Sequence, residues 1–320
     1  MRFSRPVTHG DPVHYRGRFA PSPTGPLHFG SLVAAVGSYL DARANGGEWL
    51  LRIEDIDQPR TVAGATDAIL RTLEGFGFEW DGPVLVQSQR LAVYRAVLLD
   101  RQAHGDVYPC ACSRREIAAL SPPTAVDGGL VYPGTCRAGL PGASVARAWR
   151  MRVPDGEIGF QDRVHGLVRQ NLAREVGDFI LLRADGQFAY QLAVVVDDGA
   201  QGVNAVVRGA DLIDSTARQI WLQQRLGLPT PSYAHLPVVT TASGEKLSKQ
   251  TRARAVDPAA GSVPLAAALE FLGHPVPPEI ARGPLANFWG WATAAWSMAR
   301  VPARRGACPR ADAANQRLPP

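Results

Sequence analysis

Several small groups of residues have the types and spacing to do chemistry. Of 34 basic residues only two are lysines, Lys246 and Lys249, both inside Lys246-Leu247-Ser248-Lys249-Gln250. A chain that uses arginine everywhere else points here either to a site needing a compact ammonium rather than a planar fork, or to chance clustering on a solvated loop. His28 lies in Arg18-Phe19-Ala20-Pro21-Ser22-Pro23-Thr24-Gly25-Pro26-Leu27-His28-Phe29-Gly30-Ser31. A turn that leaves a strand and opens a helix offers free N–H groups and a positive dipole end, which suits a triphosphate. Gly25 and Gly30 allow close approach of backbone or ligand, and His28 can donate to developing phosphate charge; a structural histidine is the other reading. Cys110, Cys112 and Cys136 cluster while Cys308 stands alone, a pattern that fits a cytosolic metal site better than a secreted disulfide framework. Zinc takes four ligands in a tetrahedron, so three cysteines leave one vacancy; buried, unliganded cysteines are the alternative. Glu54, Asp55 and Asp57 read alone as surface acids.

These residues need elements to position them. Residues 16–20 read as a strand, 27–44 as a helix with Leu32, Val33, Val36, Tyr39 and Leu40 on its apolar face, 49–53 as a strand, and 61–76 and 91–104 as helices. That order predicts an α/β fold with a parallel sheet and crossovers, a Rossmann-like half. Turn signals crowd residues 105–185, which reads as an inserted subdomain holding the cysteines; sheet-like texture is expected at 188–196 and 202–207, then helices at 212–226 and 264–272. The resulting division is an N-terminal extension at 1–15, catalytic halves at 16–104 and 186–240 flanking the insertion, the lysine loop with a short helical C-terminal region at 241–301, and a disordered basic tail at 302–320.

Composition sets outer bounds. The 320 residues allow about two domains, and no apolar run reaches the roughly 18 residues of a membrane span. The first 15 residues lack an apolar signal segment, so the chain is expected in the cytoplasm, as a monomer. Net charge is +5, and residues 281–320 carry all of it, with six arginines against Asp312. A basic tail can meet nucleic acid or simply solubilise the end.

The His28 string resembles the first signature of class I aminoacyl-tRNA synthetases, with His28-Phe29-Gly30-Ser31 in place of His-Ile-Gly-His. The lysine string resembles the second, Lys-Met-Ser-Lys-Ser type, and Leu51-Arg52-Ile53-Glu54-Asp55-Ile56-Asp57 resembles a run of the glutamyl branch. The resemblance extends from about residue 18 to 251. It implies ATP with Mg²⁺, His28 and Lys249 as catalytic residues, and Gly30 and Lys246 as further ATP contacts, Lys246 anchoring its loop. Gln250 departs from the usual Ser or Arg. For glutamate it implies a pocket of Arg18, Phe19, Ala20, Pro21 and Ser22, with Glu54 accepting the ammonium, Tyr190 touching the substrate and Arg208 pairing with a carboxylate. It also implies one structural Zn²⁺ on Cys110, Cys112, Cys136 and Tyr132, with His104 competing for the fourth place.

Only about 70 residues follow the lysine string, where tRNA-charging members continue into an anticodon-binding domain. This shortness resembles a subgroup that activates glutamate without tRNA and transfers it to the queuosine base in the anticodon loop of tRNA(Asp). The alternatives are a minimal enzyme charging tRNA(Glu) and a catalytically silent tRNA-binding regulator.

Overall fold

The structure is a computed structural model and describes residues 14–120, 123–241 and 254–309. The string 246–250 lies outside them. Strand β1 (Arg16–Phe19) leads through the Pro/Gly turn into helix α1 (Phe29–Ala44), which buries Leu32, Val33, Val36 and Leu40. Gly37 lets α1 sit close on the sheet, since a Cβ there would lie 2.4 Å from Leu236 Cδ1. β2 (Glu48–Ile53), α2 (Ala65–Gly75), β3 (Leu85–Val86) and α3 (Leu91–Ala103) follow, and β1, β2 and β3 pair in parallel.

The middle of the chain holds β4 (Val107–Cys110), α4 (Arg114–Ala119), β5 (Ala148–Met151), β6 (Glu157–Asp162), β7 (Gly166–Asn171), α5 (Leu172–Glu175) and β8 (Phe179–Leu182). β4, β5 and β8 form an antiparallel sheet beside the cysteines, whereas the β6–β7 hairpin leaves them and pairs with a later strand. Next come α6 (Tyr190–Gln201), β9 (Ala205–Gly209), α7 (Ile213–Arg225), β10 (Ser232–Leu236) and β11 (Val238–Val239), then α8 (Val263–Phe271), α9 (Pro278–Ala281), α10 (Leu285–Ala295) and β12 (Gly306–Ala307).

β9 and β10 pair in parallel, and β9 meets β1 where Asn204 N–H donates to Arg16 O at 3.1 Å and Arg16 N–H to Asn204 Oδ1 at 2.9 Å. The spatial order β3-β2-β1-β9-β10 is a Rossmann-like sheet, with a cleft outside the carboxyl ends of its strands. One apolar core joins β1, β2, α1 and α2 to α8 and α10; another gathers α3, α6, α7 and the middle strands. Among the described residues no helix is long and apolar enough to cross a membrane.

Two expectations are corrected. Residues 188–196 are sheet-like only at Phe188, which bridges Leu182: helix α6 starts at Tyr190 and buries every residue from Leu192 to Asp198. A helix enclosed on all sides shows no 3.6-residue stripe, and Val194-Val195-Val196 mimics a buried strand. The tail is also ordered further than expected, because Gly306–Ala307 pairs in parallel with Val238–Val239.

Candidate functional site

A cleft of about 970 Å³ opens at the carboxyl ends of β1, β2 and β9. Arg18, Phe19, Ala20, Pro21, Ser22, His28, Gly30, Glu54, Tyr190 and Arg208 all line it, although up to 190 positions separate them in sequence. His28 occupies the N-cap of α1, its Nδ1 accepting Ser31 N–H at 3.3 Å and its Nε2 lying 3.2 Å from Ser31 Oγ. A Cβ on residue 30 would sit 3.1 Å from His28 Cε1, so Gly30 leaves the ring room over the helix start.

The floor is a charge network. Arg52 is fully buried; its Nη2 lies 2.7 Å from Asp198 Oδ1 and its Nε 3.4 Å from Glu54 Oε1. Arg18 Nε donates to the same Asp198 oxygen at 3.2 Å. Burial alone would raise Asp198, but Arg18 and Arg52 outweigh it and hold the carboxylate below its ordinary range. In Glu54 burial wins over Arg52 and Arg18, and its pKa is raised. A cation arriving beside Glu54 would pull that pKa back down.

Arg208 stands apart from this network. It is 5% exposed, and among the described residues its acceptors are all neutral: His235 Nε2 at 3.1 Å, Gln219 Oε1 at 2.7 Å, Thr216 Oγ1 at 2.8 Å, and Tyr190 Oη and Leu212 O at 3.4 Å. Among the described residues no carboxylate lies within ion-pair distance of it. A buried guanidinium without a counter-ion costs several kcal/mol, and a carboxylate ligand in the cleft offsets that cost. Burial also raises the Tyr190 phenol, which feels Arg208, Glu54, Arg18 and Asp198 together.

The cysteines form a second, separate centre. The Sγ atoms of Cys110, Cys112 and Cys136 lie within 4.8 Å of one another, Cys112 and Cys136 being 3.6 Å apart. Sulfurs sharing a tetrahedral Zn²⁺ sit ~3.8 Å apart, given Zn–S of about 2.3 Å, so the residues fit that ion. Tyr132 Oη lies 3.3 Å from Cys110 Sγ and 3.6 Å from Cys112 Sγ, and accepts Cys136 N–H at 2.9 Å. His104 is exposed and tied to Asp100 O at 2.8 Å, outside the cluster. Burial pushes the Cys112 thiol up to about 11. Cys136 is lowered, because the Ala111 N–H and Tyr132 outweigh its burial.

Sequence reasoning missed several of these groups. Asp198 escaped it because the sheet reading stopped at residue 196 and missed the helix that carries Asp197 and Asp198; their position directly after Val194-Val195-Val196 was the available signal. Arg150 was also missed: it donates to Cys110 Sγ at 3.3 Å and covers the Tyr132 ring at 3.7 Å, which places a positive charge against the thiols. His235 and Asp162 were missed as well. Nothing local marks them.

Known proteins share extended similarity with the chain. The family described as tRNA synthetases class I (E and Q), catalytic domain, matches residues 14–260. The glutamyl-Q tRNA(Asp) synthetase of Dechloromonas aromatica is 62% identical over 288 residues, 90% of this chain and 96% of that protein. Those of Thiobacillus denitrificans (58%, covering 91% and 96%) and Burkholderia mallei (60%, covering 92% and 100%) are similar too. The crystal structure of a glutamate tRNA ligase from Elizabethkingia meningosepticum, in complex with its amino acid, superposes with a TM-score of 0.76 at 25% identity, covering 94% of this chain and 68% of that one.

Proposed function

The chain belongs to the class I tRNA synthetases (E and Q), within the glutamyl-Q tRNA(Asp) synthetase family, and from that premise we propose that it activates L-glutamate with ATP in the absence of tRNA and transfers it to the queuosine base in the anticodon loop of tRNA(Asp). The observation that carries the glutamate reading is Arg208, a buried fork in the cleft with only neutral partners. It would take the side-chain carboxylate, an arrangement that is both strong and selective. Glu54 would accept the α-ammonium, with Arg18 and Tyr190 closing the pocket. The tRNA(Asp) assignment rests on the names of the relatives.

The chemistry needs positioning and charge neutralisation more than covalent help. The α-carboxylate attacks the α-phosphorus of ATP, forming glutamyl-adenylate as pyrophosphate leaves. His28 and the N–H groups at the start of α1 stabilise the charge spreading on the phosphate, with Gly30 keeping the approach open. Lys249 holds the departing phosphates and Lys246 anchors its loop. Mg²⁺ accompanies the nucleotide. A hydroxyl of the queuosine cyclopentenediol then attacks the activated carbonyl, an ester forms and AMP leaves.

Cys110, Cys112, Cys136 and Tyr132 would hold one Zn²⁺, which supplies a cross-link and takes no part in the reaction. Among the described residues, the buried cluster that contains Cys110, Tyr132 and Cys136 adds only Tyr108 and Ile117 to them, too few to order a subdomain unaided. A nucleic-acid partner is supported by a second groove that shares Asp57, Arg60, Arg183 and Ala189 with the cleft and adds Arg114. Phosphate recognition wants such guanidinium groups.

The test has two stages. Glutamate-dependent ATP–pyrophosphate exchange without tRNA is expected, and its absence would sink the enzyme reading. Labelled glutamate should then reach tRNA(Asp) carrying queuosine and not tRNA(Asp) lacking it. Charging of tRNA(Glu) instead would make this a minimal glutamyl-tRNA synthetase.

A further inference from the structure

Arg208 and His235 are register partners on β9 and β10. His235 is fully buried, its Nε2 facing the Arg208 Nε–H at 3.1 Å and its Nδ1 lying 2.6 Å from Asp162 Oδ2. Asp162, 1% exposed at the end of β6, is fixed in turn by its own loop: Oδ1 accepts the N–H groups of Val164 and His165, both at 2.9 Å. Arg208 Nε–H is a donor under all conditions, so it needs an unprotonated Nε2 opposite. The Asp162 carboxylate demands a proton on Nδ1. Only the neutral, Nδ1-protonated ring satisfies both neighbours, and either other form would set two donors 3.1 Å apart.

We propose that Asp162 and His235 are positioning residues for substrate recognition: Asp162 fixes the His235 tautomer, and His235 in that form fixes the plane of the Arg208 guanidinium. With Nε held by His235, and Nη1 and Nη2 by Gln219 and Thr216, the two longest contacts go to the cleft-lining Tyr190 and Leu212, at 3.4 Å each. Those two N–H groups, one on each terminal nitrogen, are the ones a carboxylate would accept end-on, displacing the two long contacts. The relay therefore aims the fork without touching the ligand. It reaches the site from β6, in the segment between the two catalytic halves. The inference rests on Arg208 binding a glutamate carboxylate.

Asp162→Asn, made in the full-length zinc-loaded chain, tests it. The asparagine oxygen keeps the Val164 and His165 N–H groups, its amide turns to His235 Nδ1, and the ring proton must move to Nε2. Nitrogen-15 NMR of the histidine rings should show that move. The KM for glutamate should rise about 10- to 100-fold while the KM for ATP stays within about twofold. A merely structural defect would lower the active fraction and move neither KM selectively. An unmoved ring proton, or an unmoved KM for glutamate, overturns the relay. Should the Asp162→Asn chain fail to fold, His235→Gln and His235→Phe replace it, since glutamine keeps an acceptor for Arg208 and phenylalanine does not. A KM for glutamate at least about tenfold higher in the Phe variant supports the relay, and equal values overturn it. Arg208→Gln separates the two readings: if it leaves the KM for glutamate unchanged, the glutamate assignment of Arg208 has failed, whereas a raised KM there with a normal KM in Asp162→Asn condemns the relay alone.

Discussion

His235 illustrates how a single buried side chain links the site to stability. Burial and the Arg208 guanidinium hold its pKa down to about 4 from 6.5, against the pull of Asp162. Between those values the unfolded chain binds the proton and the folded chain does not, so stability rises with pH across the window. The contribution is complete above pH 6.5 and is lost as pH falls, amounting to about 3 kcal/mol by pH 4. Urea unfolding at pH 7 and pH 4.5 should show this loss in the wild type and a smaller one in His235→Gln; equal losses would refute the buried neutral histidine. Lys249 makes a different residue-scale prediction. If the site needs a compact ammonium, Lys249→Arg keeps the charge yet drops pyrophosphate exchange by at least about tenfold; near-normal exchange would dispose of that argument. His28 and the cysteines were legible because they belong to short strings with their own chemistry, whereas Glu54 alone read as a surface acid and was reached only through the resemblance. Asp162 and His235 belong to no string. They are 73 positions apart and meet only because β6 pairs with β10.

Elements were legible where small and polar residues space the apolar ones at helical intervals, whatever the burial: between Leu32 and Ala42 helix α1 leaves only Ala34 partly exposed. Helix α1 announced itself through Leu32, Val33, Val36 and Leu40, and through a turn of prolines and glycines ahead of it. Helix α6 did not, because the unbroken apolar run from Leu192 to Val196 carries no helical spacing. Short-range contacts between elements were invisible for another reason, as Gly177 shows. It has φ 73°, and a Cβ there would sit 2.5 Å from both the N and O of Tyr132. The bridge from Gly177 to Tyr132 thus holds the tyrosine over the cysteines. Gly177→Ala combines left-handed strain of about 1–2 kcal/mol with a backbone clash, so it should lower the melting temperature and, with the proposed Zn²⁺ loaded, speed its loss to a chelator. Gly142→Ala is the control: φ is 54°, but nothing lies within 4 Å of the added carbon. It should carry the strain without the faster zinc loss. Equal zinc release from the two variants would detach Gly177 from the proposed metal centre.

At the scale of the whole molecule the proposed reaction divides between two surfaces. Adenylation uses the cleft over the parallel sheet, while transfer needs a tRNA loop to reach the same point from outside. The second groove joins the cleft at Arg60 and Arg183, and its outer wall is Arg114, the first residue of α4 beside the cysteine cluster. Arg60 and Arg183 both pair with Asp57, so part of their charge is already balanced. Arg114 is exposed and lies in none of the ion pairs among the described residues, which makes it the sharper probe. Arg114→Glu reverses a charge that would face the tRNA backbone and leaves the adenylation cleft untouched. Glutamate-dependent exchange without tRNA should match the wild type. Transfer to tRNA(Asp) should show a KM for tRNA raised about 3- to 10-fold, and a shallower dependence on salt, since one fewer phosphate contact lowers the log–log slope by about one. Equal loss of both half-reactions would mean the substitution damages the fold, and unchanged transfer would mean the tRNA enters by another face.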